Sequence, residues 1–256
     1  MKNKKLYFTL IILTITATVL IAHSSLSVEN TTAGMVTYTD GTVKKKDPAM
    51  TDWIPAAKDT TVSSGDQVRT MINSRAELEL RELDVIRLAP RTTIDIVKLF
   101  EETKKQKDQT QINVVEGDIW AMVSTVQAGA EFNLNTPVAG AAITGTVFRV
   151  SVSEDSATQL KVYTGEVHIT NSPGNANLKP QYVPAGPPRK VSGPRQVSGP
   201  RQVSLEEWMY IVKNMQVINI AKNGKVLSAG DFSASDQDEQ TDWVKWNTQR
   251  DAARKH

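Results

Sequence analysis

Between residues 34 and 170 one device recurs along the chain: a short run of alternating apolar and polar or β-branched residues, then a glycine turn, then another such run. The runs include Val36-Thr-Tyr, Gln67-Val-Arg-Thr, Ala76-Glu-Leu-Glu-Leu, Val85-Ile-Arg-Leu, Thr93-Ile-Asp-Ile-Val, Gln111-Ile-Asn-Val-Val, Ile119-Trp-Ala-Met-Val, Phe132-Asn-Leu-Asn, Val147-Phe-Arg-Val-Ser-Val and Gln159-Leu-Lys-Val-Tyr. A period of two is that of a strand with one face on a core. In Ala76–Leu80 the residues Ala76, Leu78 and Leu80 share the core face, and Glu77 and Glu79 share an outer face expected to be wet. The glycine turns are Thr39-Asp-Gly-Thr-Val, Ser63-Ser-Gly-Asp-Gln-Val, Val115-Glu-Gly-Asp-Ile and Tyr163-Thr-Gly-Glu-Val. Each supplies a residue free to take positive φ before the next strand. The pattern predicts an all-β fold of stacked, repetitive strands, a β-solenoid or a sandwich. The charged run at 100–110 reads as a solvated hairpin loop.

Composition narrows the chemistry. The 256 residues include no cysteine and three histidines, His23, His168 and His256. A disulfide framework, a zinc ribbon, an iron–sulfur cluster and a thiol nucleophile are thereby excluded, and a Ser-His-Asp triad has little to draw on. No cofactor is expected. The net charge of +2 divides unevenly. Lys2, Lys4 and Lys5 precede an uncharged run, Leu6–Ala22; residues 28–170 carry 15 basic and 20 acidic residues; residues 171–204 carry five basic and none acidic. An acidic body argues against a nucleic-acid partner.

The basic start and apolar run are an export signal, with the lysines left in the cytoplasm. Residues 1–27 read equally as a signal peptide cut after Ser24 or as an uncleaved anchor, which would give membrane contact through residues 6–22. Residues 171–204 hold seven of the eleven prolines and a six-residue repeat, Pro188-Arg-Lys-Val-Ser-Gly, Pro194-Arg-Gln-Val-Ser-Gly and Pro200-Arg-Gln-Val-Ser. This composition predicts an extended basic linker. Its cations would suit an anionic envelope polymer or lipid head groups; a plain soluble linker is the simpler reading. Residues 205–256 form the C-terminal part. Ser204-Leu-Glu-Glu is a capping box, and Trp208, Ile211, Val212 and Met215 fall at helical spacing, so a helix is predicted over 205–215. Asn223-Gly224 between Gln216–Ala221 and Lys225–Leu227 predicts a hairpin, with continuation of the helix as the competitor. Ser228–Thr241 reads as loop. A short terminal helix from Trp243 would turn Trp243 and Trp246 to the body together; packing is favoured over carbohydrate stacking for that pair.

An ordered set of pieces over residues 34–170 resembles the FecR domain family. It comprises Trp53, Gly65-Asp66-Gln67-Val68 with Thr70, Ala76–Leu80, Ile86-Arg-Leu-Ala-Pro, Val115-Glu-Gly-Asp-Ile-Trp around Gly117, Thr136-Pro137, Gly145-Thr146-Val147-Phe148-Arg149-Val150, and Val162-Tyr-Thr-Gly-Glu-Val-His-Ile around Gly165. The departure is Arg81-Glu-Leu-Asp84, where the family has an Asp-Gly-Ser-like turn. Physically these are structural residues. Pro137 ends a strand because it cannot donate to the ladder, Gly145 permits a bend, and Phe148 and Val150 alternate inward. A phosphate-cradle reading of Gly145-Thr146 fails for want of a lysine and a following helix.

The resemblance implies an extracytoplasmic β-rich sensing or interaction domain of a bacterial envelope, in the periplasm or on the outer side of the inner membrane. In the namesake transducers a cytoplasmic helical domain controls a sigma factor. Five residues precede the apolar segment here, so the expected role is the exported recognition half. The leading expectation is a non-enzymatic binding, scaffold or sensing module for an envelope or membrane protein, or for an envelope polysaccharide, with β-augmentation as one mode. Signalling together with a separately encoded membrane partner is the alternative. A glycan hydrolase using two carboxylates, such as Glu79 and Asp95, is a third.

Overall fold

A computed structural model describes residues 33–80, 84–102, 107–124, 131–172, 178–184 and 206–254, with backbone only at 100–102, 107 and 108. The expected export segment, the Pro-Arg repeats and Arg81-Glu-Leu83 lie outside the described residues. Everything below belongs to one compact unit, which begins at Thr31. Among the described residues no helix is long and apolar enough to cross a membrane.

Among the described residues sixteen strands join in one open sheet. They are β1 (Gly34–Asp40), β2 (Val43–Lys46), β3 (Ile54–Pro55), β4 (Thr61–Val62), β5 (Gln67–Thr70), β6 (Arg75–Leu80), β7 (Asp84–Leu88), β8 (Thr93–Glu102), β9 (Lys107–Val123), β10 (Glu131–Asn135), β11 (Gly140–Val152), β12 (Thr158–Thr170), β13 (Pro180–Tyr182), β14 (Met209–Lys213), β15 (Gln216–Ile220) and β16 (Val226–Asp231). A 3-10 turn at Gln237–Glu239 and one helix, α1 (Asp242–Arg254), follow. The charged run expected as a loop is instead largely strand backbone, since β8 continues to Glu102 and β9 resumes at Lys107.

Three long strands fold this sheet onto itself. The first part of β9 pairs with β8 and its last part with β11. In β11, residues 140–143 pair with β10 and residues 146–152 with β9. Strand β12 pairs with β15 through 158–162 and with β14 through 166–170. The changes of partner fall at Gly117 (φ 97°), Gly145 (φ 61°) and Gly165 (φ 88°). Glycine takes such angles without a Cβ penalty, and strands that change sheets do so at bends of this kind. One half therefore runs β13-β14-β12-β11-β10-β9-β8-β5-β2-β3, and the other β16-β15-β12-β11-β9-β7-β6-β1-β4. The halves share one core, with Val68, Ile94, Ile96 and Ile112 from the first and Leu78, Leu80, Ile86 and Leu88 from the second all fully buried. Of the two architectures expected, this is the sandwich.

The C-terminal part corrects the sequence reading at two places. Residues 209–213 form β14 and not a helix. The helical spacing of Trp208, Ile211 and Val212 competes with a run of β-branched residues, and the open edge of β12 at Glu166–Thr170 offers that run a full ladder of backbone partners. Beyond a turn at Asn214-Met215 the chain continues as β15, pairing with the other part of β12, so it follows the bend of β12. The expected hairpin is present: β15 and β16 flank Asn223-Gly224, with Gly224 at φ 75°. Strand β16 runs to Asp231, into the stretch expected as loop. The terminal helix is α1, and Trp243 and Trp246 stack at 5.5 Å between ring centroids.

The second correction concerns the outer face of β6. Glu79 is part-exposed, but Glu77 is buried, because α1 lies across that face of the second half. Strand β7 is buried at every residue, by the core on one side and by α1 on the other.

Candidate functional site

The family-motif residues are spread through the fold as joints. Gly65 (φ 89°) turns the chain into β5, and its N–H donates to the Ile96 carbonyl at 2.6 Å. Asp66 is buried, accepts the Ser63 N–H at 2.7 Å and pairs with Lys45 Nζ at 2.7 Å. Thr136 Oγ1 accepts the Ala139 N–H at 3.1 Å, which closes the Thr136-Pro137 turn between β10 and β11. The buried Thr146 hydroxyl lies 2.9 Å from the Thr144 carbonyl and 3.0 Å from that of Glu166, tying the Gly145 and Gly165 bends together. Phe148 is fully buried in the core. Thr136 and Phe148 both line a small apolar cavity of about 10 Å³, and Gly65, Asp66 and Thr146 do not.

The carboxylates considered for glycan hydrolysis are not brought together. Glu79 sits on β6 at 3.3 Å from Arg254, and Asp95 sits on β8, accepting Gln67 Nε2 at 2.7 Å. Those strands belong to opposite halves of the sandwich. Among the described carboxylates with a displaced pKa, Glu77, Asp155 and Asp238, all are held below the usual range, the reverse of what a general acid needs. No group of three or more potential ligand side chains is placed to hold a metal ion among the described residues.

Beneath α1 lies a polar network that the sequence reading did not find. Glu77 accepts Arg87 Nε at 2.6 Å, Arg250 Nε at 2.9 Å, Arg254 Nη2 at 3.0 Å and Thr37 Oγ1 at 2.9 Å. Arg87 Nη1 donates to Asp251 Oδ1 at 2.5 Å, and Trp120 Nε1 to Asp251 Oδ2 at 2.8 Å. Asp118 accepts Arg149 Nη2 at 2.5 Å, Ser151 Oγ at 2.9 Å and Trp243 Nε1 at 3.0 Å. Glu239 accepts Lys161 Nζ at 2.7 Å and the Tyr163 hydroxyl at 2.8 Å. Burial by itself would raise the Glu77 pKa, but its hydrogen bonds from Arg250 and Arg87 outweigh this and hold the carboxyl well below the ordinary range. Burial, helped by the Glu239 carboxylate, pushes the Tyr163 phenol above its ordinary value. Its bonds join Trp243, Arg250, Asp251 and Arg254 of α1 to β6, β7 and β9, so this network fixes α1 on the sheet.

Two surface features remain open to a partner. One is a groove of about 810 Å³ at the end of the sandwich where β9 bends at Gly117. Its lining includes Arg69 from β5, Met71 and Ile72 after it, Arg91 from the β7–β8 turn, and Leu227 from β16. Met71, Ile72 and Leu227 are 38%, 59% and 69% exposed, a cluster of large apolar side chains that a folded surface does not ordinarily leave to water. The other is the free edge of β16, six residues paired on one side only, to β15. Its sequence, Val226-Leu-Ser-Ala-Gly-Asp231, carries no proline or lysine. The other edges are shorter: β3 and β4 have two residues each, and β13 has three and begins at Pro180.

The fold is thus an open two-layer β-sandwich with bent strands shared between its layers, a helix on one face and a six-residue edge strand without lysine or proline. Residues 66–168 match the family model described as FecR protein. That span takes in β5 to most of β12, including the three bends, while β14, β15, β16 and α1 lie outside it. Two crystal structures described as "a putative anti-sigma factor" from Parabacteroides distasonis are similar at 16% identity, with TM-scores of 0.44 and 0.43. Each similarity covers 66% of this chain and 60% of that one. No curated protein matches.

Proposed function

We propose that this chain is an exported FecR-domain recognition module with a regulatory role at the bacterial cell envelope, and that it takes an envelope protein as an added strand on β16. The observation that carries the reading is the β16 edge, whose outward backbone N–H and C=O groups have no partner strand among the described residues. Natural sheets guard such edges with lysine, proline, bulges or brevity, and this edge lacks the first two along its length. Strand addition needs no catalytic group; backbone pairing supplies affinity and alternate side chains supply selectivity. Export is supported by the lysines ahead of Leu6–Ala22. The regulatory role is supported by the FecR match.

The test places a photo-crosslinking residue at Ser228 of the full chain in intact cells. One envelope protein is expected to dominate the adducts. Gly230→Lys puts a charged guard on the edge at a position whose Cβ meets nothing within 4 Å. It is expected to change stability by no more than about 0.5 kcal/mol and to reduce the adduct at least tenfold. Adducts spread over random neighbours, or unchanged by Gly230→Lys, would overturn the reading. Deleting the chain is expected to alter expression of a defined gene set, and an unchanged transcript profile would remove the regulatory part alone.

A further inference from the structure

We propose that the groove at the Gly117 bend is a second recognition site, for an extended segment of a partner protein that carries a carboxylate side chain flanked by aliphatic ones. The cationic wall is the first reason. Arg87, Arg149, Arg250 and Arg254 each pair with a carboxylate. Arg69 and Arg91, both on the groove, have no carboxylate partner and no side-chain hydrogen bond among the described residues. Arg69 is nevertheless held in place: its guanidinium lies 4.0 Å above the Trp53 ring. Stacking fixes the plane of the group and leaves its in-plane donors for an oxyanion.

The backbone is the second reason. Arg91 takes φ 55°, which costs a residue with a Cβ about 1–2 kcal/mol and is found where the surroundings over-determine it. Its N–H donates to the Met71 carbonyl at 3.2 Å, so the strained turn is tied to the segment bearing Met71 and Ile72. The cation and the apolar residues are thereby held on one wall.

Three acids also line the groove, Glu116, Asp118 and Glu154, so the carboxylate's place is set by the two arginines themselves and not by a net positive groove. Asp118 is engaged by Arg149, Ser151 and Trp243. Glu116 accepts the Thr93 hydroxyl at 3.4 Å. Glu154 lies in the β11–β12 turn. Leu227 of the β15–β16 hairpin adds an exposed apolar side chain to the lining. A segment lying along the groove would set its carboxylate on Arg69 and Arg91 and its aliphatic neighbours on Met71, Ile72 and Leu227. This site is separate from strand addition to β16, and Gly230→Lys is expected to leave it intact.

The probe is the fluorescein-labelled peptide Gly-Leu-Asp-Ile-Gly-amide, titrated onto the full chain and followed by fluorescence polarisation, with its Asp→Asn form as control. Saturable binding is expected, at least tenfold tighter for the Asp peptide. Arg69→Gln with Arg91→Gln should abolish that difference while leaving the thermal midpoint in place. Leu227→Ser should weaken both peptides several-fold. Equal binding of the two peptides, no saturation up to millimolar protein, or an effect of the arginine pair on both peptides alike would overturn the proposal. Displacement of the Asp peptide by a galacturonate tetramer at equal concentration would move the site to an acidic polysaccharide, and would also overturn it.

Discussion

Glu77→Leu is expected to destabilise the protein by about 3–5 kcal/mol, because it removes the anion from a buried site and leaves Arg87 behind. Arg87 is fully buried, and its Nε loses a partner now at 2.6 Å. Arg250 loses its hydrogen bonds to β6 in the same step, and Arg254 is left with Glu79. Equilibrium unfolding in urea measures the loss, and hydrogen exchange locates it: protection should fall first across 242–254. The neighbouring Glu79→Leu removes only a part-exposed pair with Arg254 and should cost about 0–1 kcal/mol. Replacing Glu77, Arg87 and Asp251 together with apolar residues should recover most of the loss, since the cost lies in the orphaned charge and not in the absence of a pair. The same group sets an acid dependence. Its folded carboxyl titrates well below its unfolded value, so its contribution is complete above the ordinary carboxylate range and is lost as pH falls through that range and beyond. Glu77→Leu should flatten this part of the acid-unfolding profile. An unchanged profile would mean that the network does not carry the helix.

Strands and bends were legible in the sequence for local reasons. Ala76, Leu78 and Leu80 alternate, and a period of two says strand whatever lies beside it. Gly117, Gly145 and Gly165 stand inside β-branched runs, where a glycine marks a bend or a bulge. The burial of Glu77 was not legible, because it depends on α1, whose contact with β6 spans 173 residues of sequence. From β6 alone, Glu77 and Glu79 look equivalent; a helix laid over one end of the face separates them. Strand β14 was misread for a related reason. Trp208, Ile211 and Val212 satisfy a helical spacing as well as a strand, and the choice is made by the open edge of β12, which no local window contains. The groove was illegible too: Arg69, Arg91 and Leu227 are ordinary residues until the fold places them together.

The part of the chain beyond the family match completes the sandwich. Strand β14 pairs along one part of β12 and β15 along the other, so these residues extend both halves by the same bend that β9, β11 and β12 use. The open edge thereby passes from β12 to β16, and Leu227 reaches the groove. In this chain the segment outside the FecR match supplies both the β16 edge and an exposed leucine of the groove. Partner choice would therefore follow this segment more than the match itself.

Gly117→Val tests whether the bends are structural joints or contact points for a ligand. Gly117 sits at φ 97°, and a Cβ there would lie 2.5 Å from Thr92 Cα and 2.8 Å from the Arg91 carbonyl oxygen. Both are backbone atoms of the turn into β8, itself held by the Asp118 N–H donating to Thr92 Oγ1 at 3.0 Å. They cannot yield as a flexible side chain would. Strained φ and overlap together are expected to cost at least about 4 kcal/mol, a large part of the 5–15 kcal/mol typical of a folded domain (roughly, for any such chain). Gly165→Val should behave alike, because its Cβ would meet the Gly145 carbonyl oxygen at 2.6 Å. Gly230→Ala is the control: it meets nothing within 4 Å, and it should be neutral or stabilise by up to about 1 kcal/mol. Far-UV circular dichroism and trypsin sensitivity give the readout. If the bends are joints, Gly117→Val lowers the thermal midpoint and loses strand signal, and any loss of partner binding follows the loss of fold. If Gly117→Val instead keeps the midpoint of the unaltered chain and loses only binding, then the glycine meets a ligand, and the two-layer arrangement does not depend on that bend.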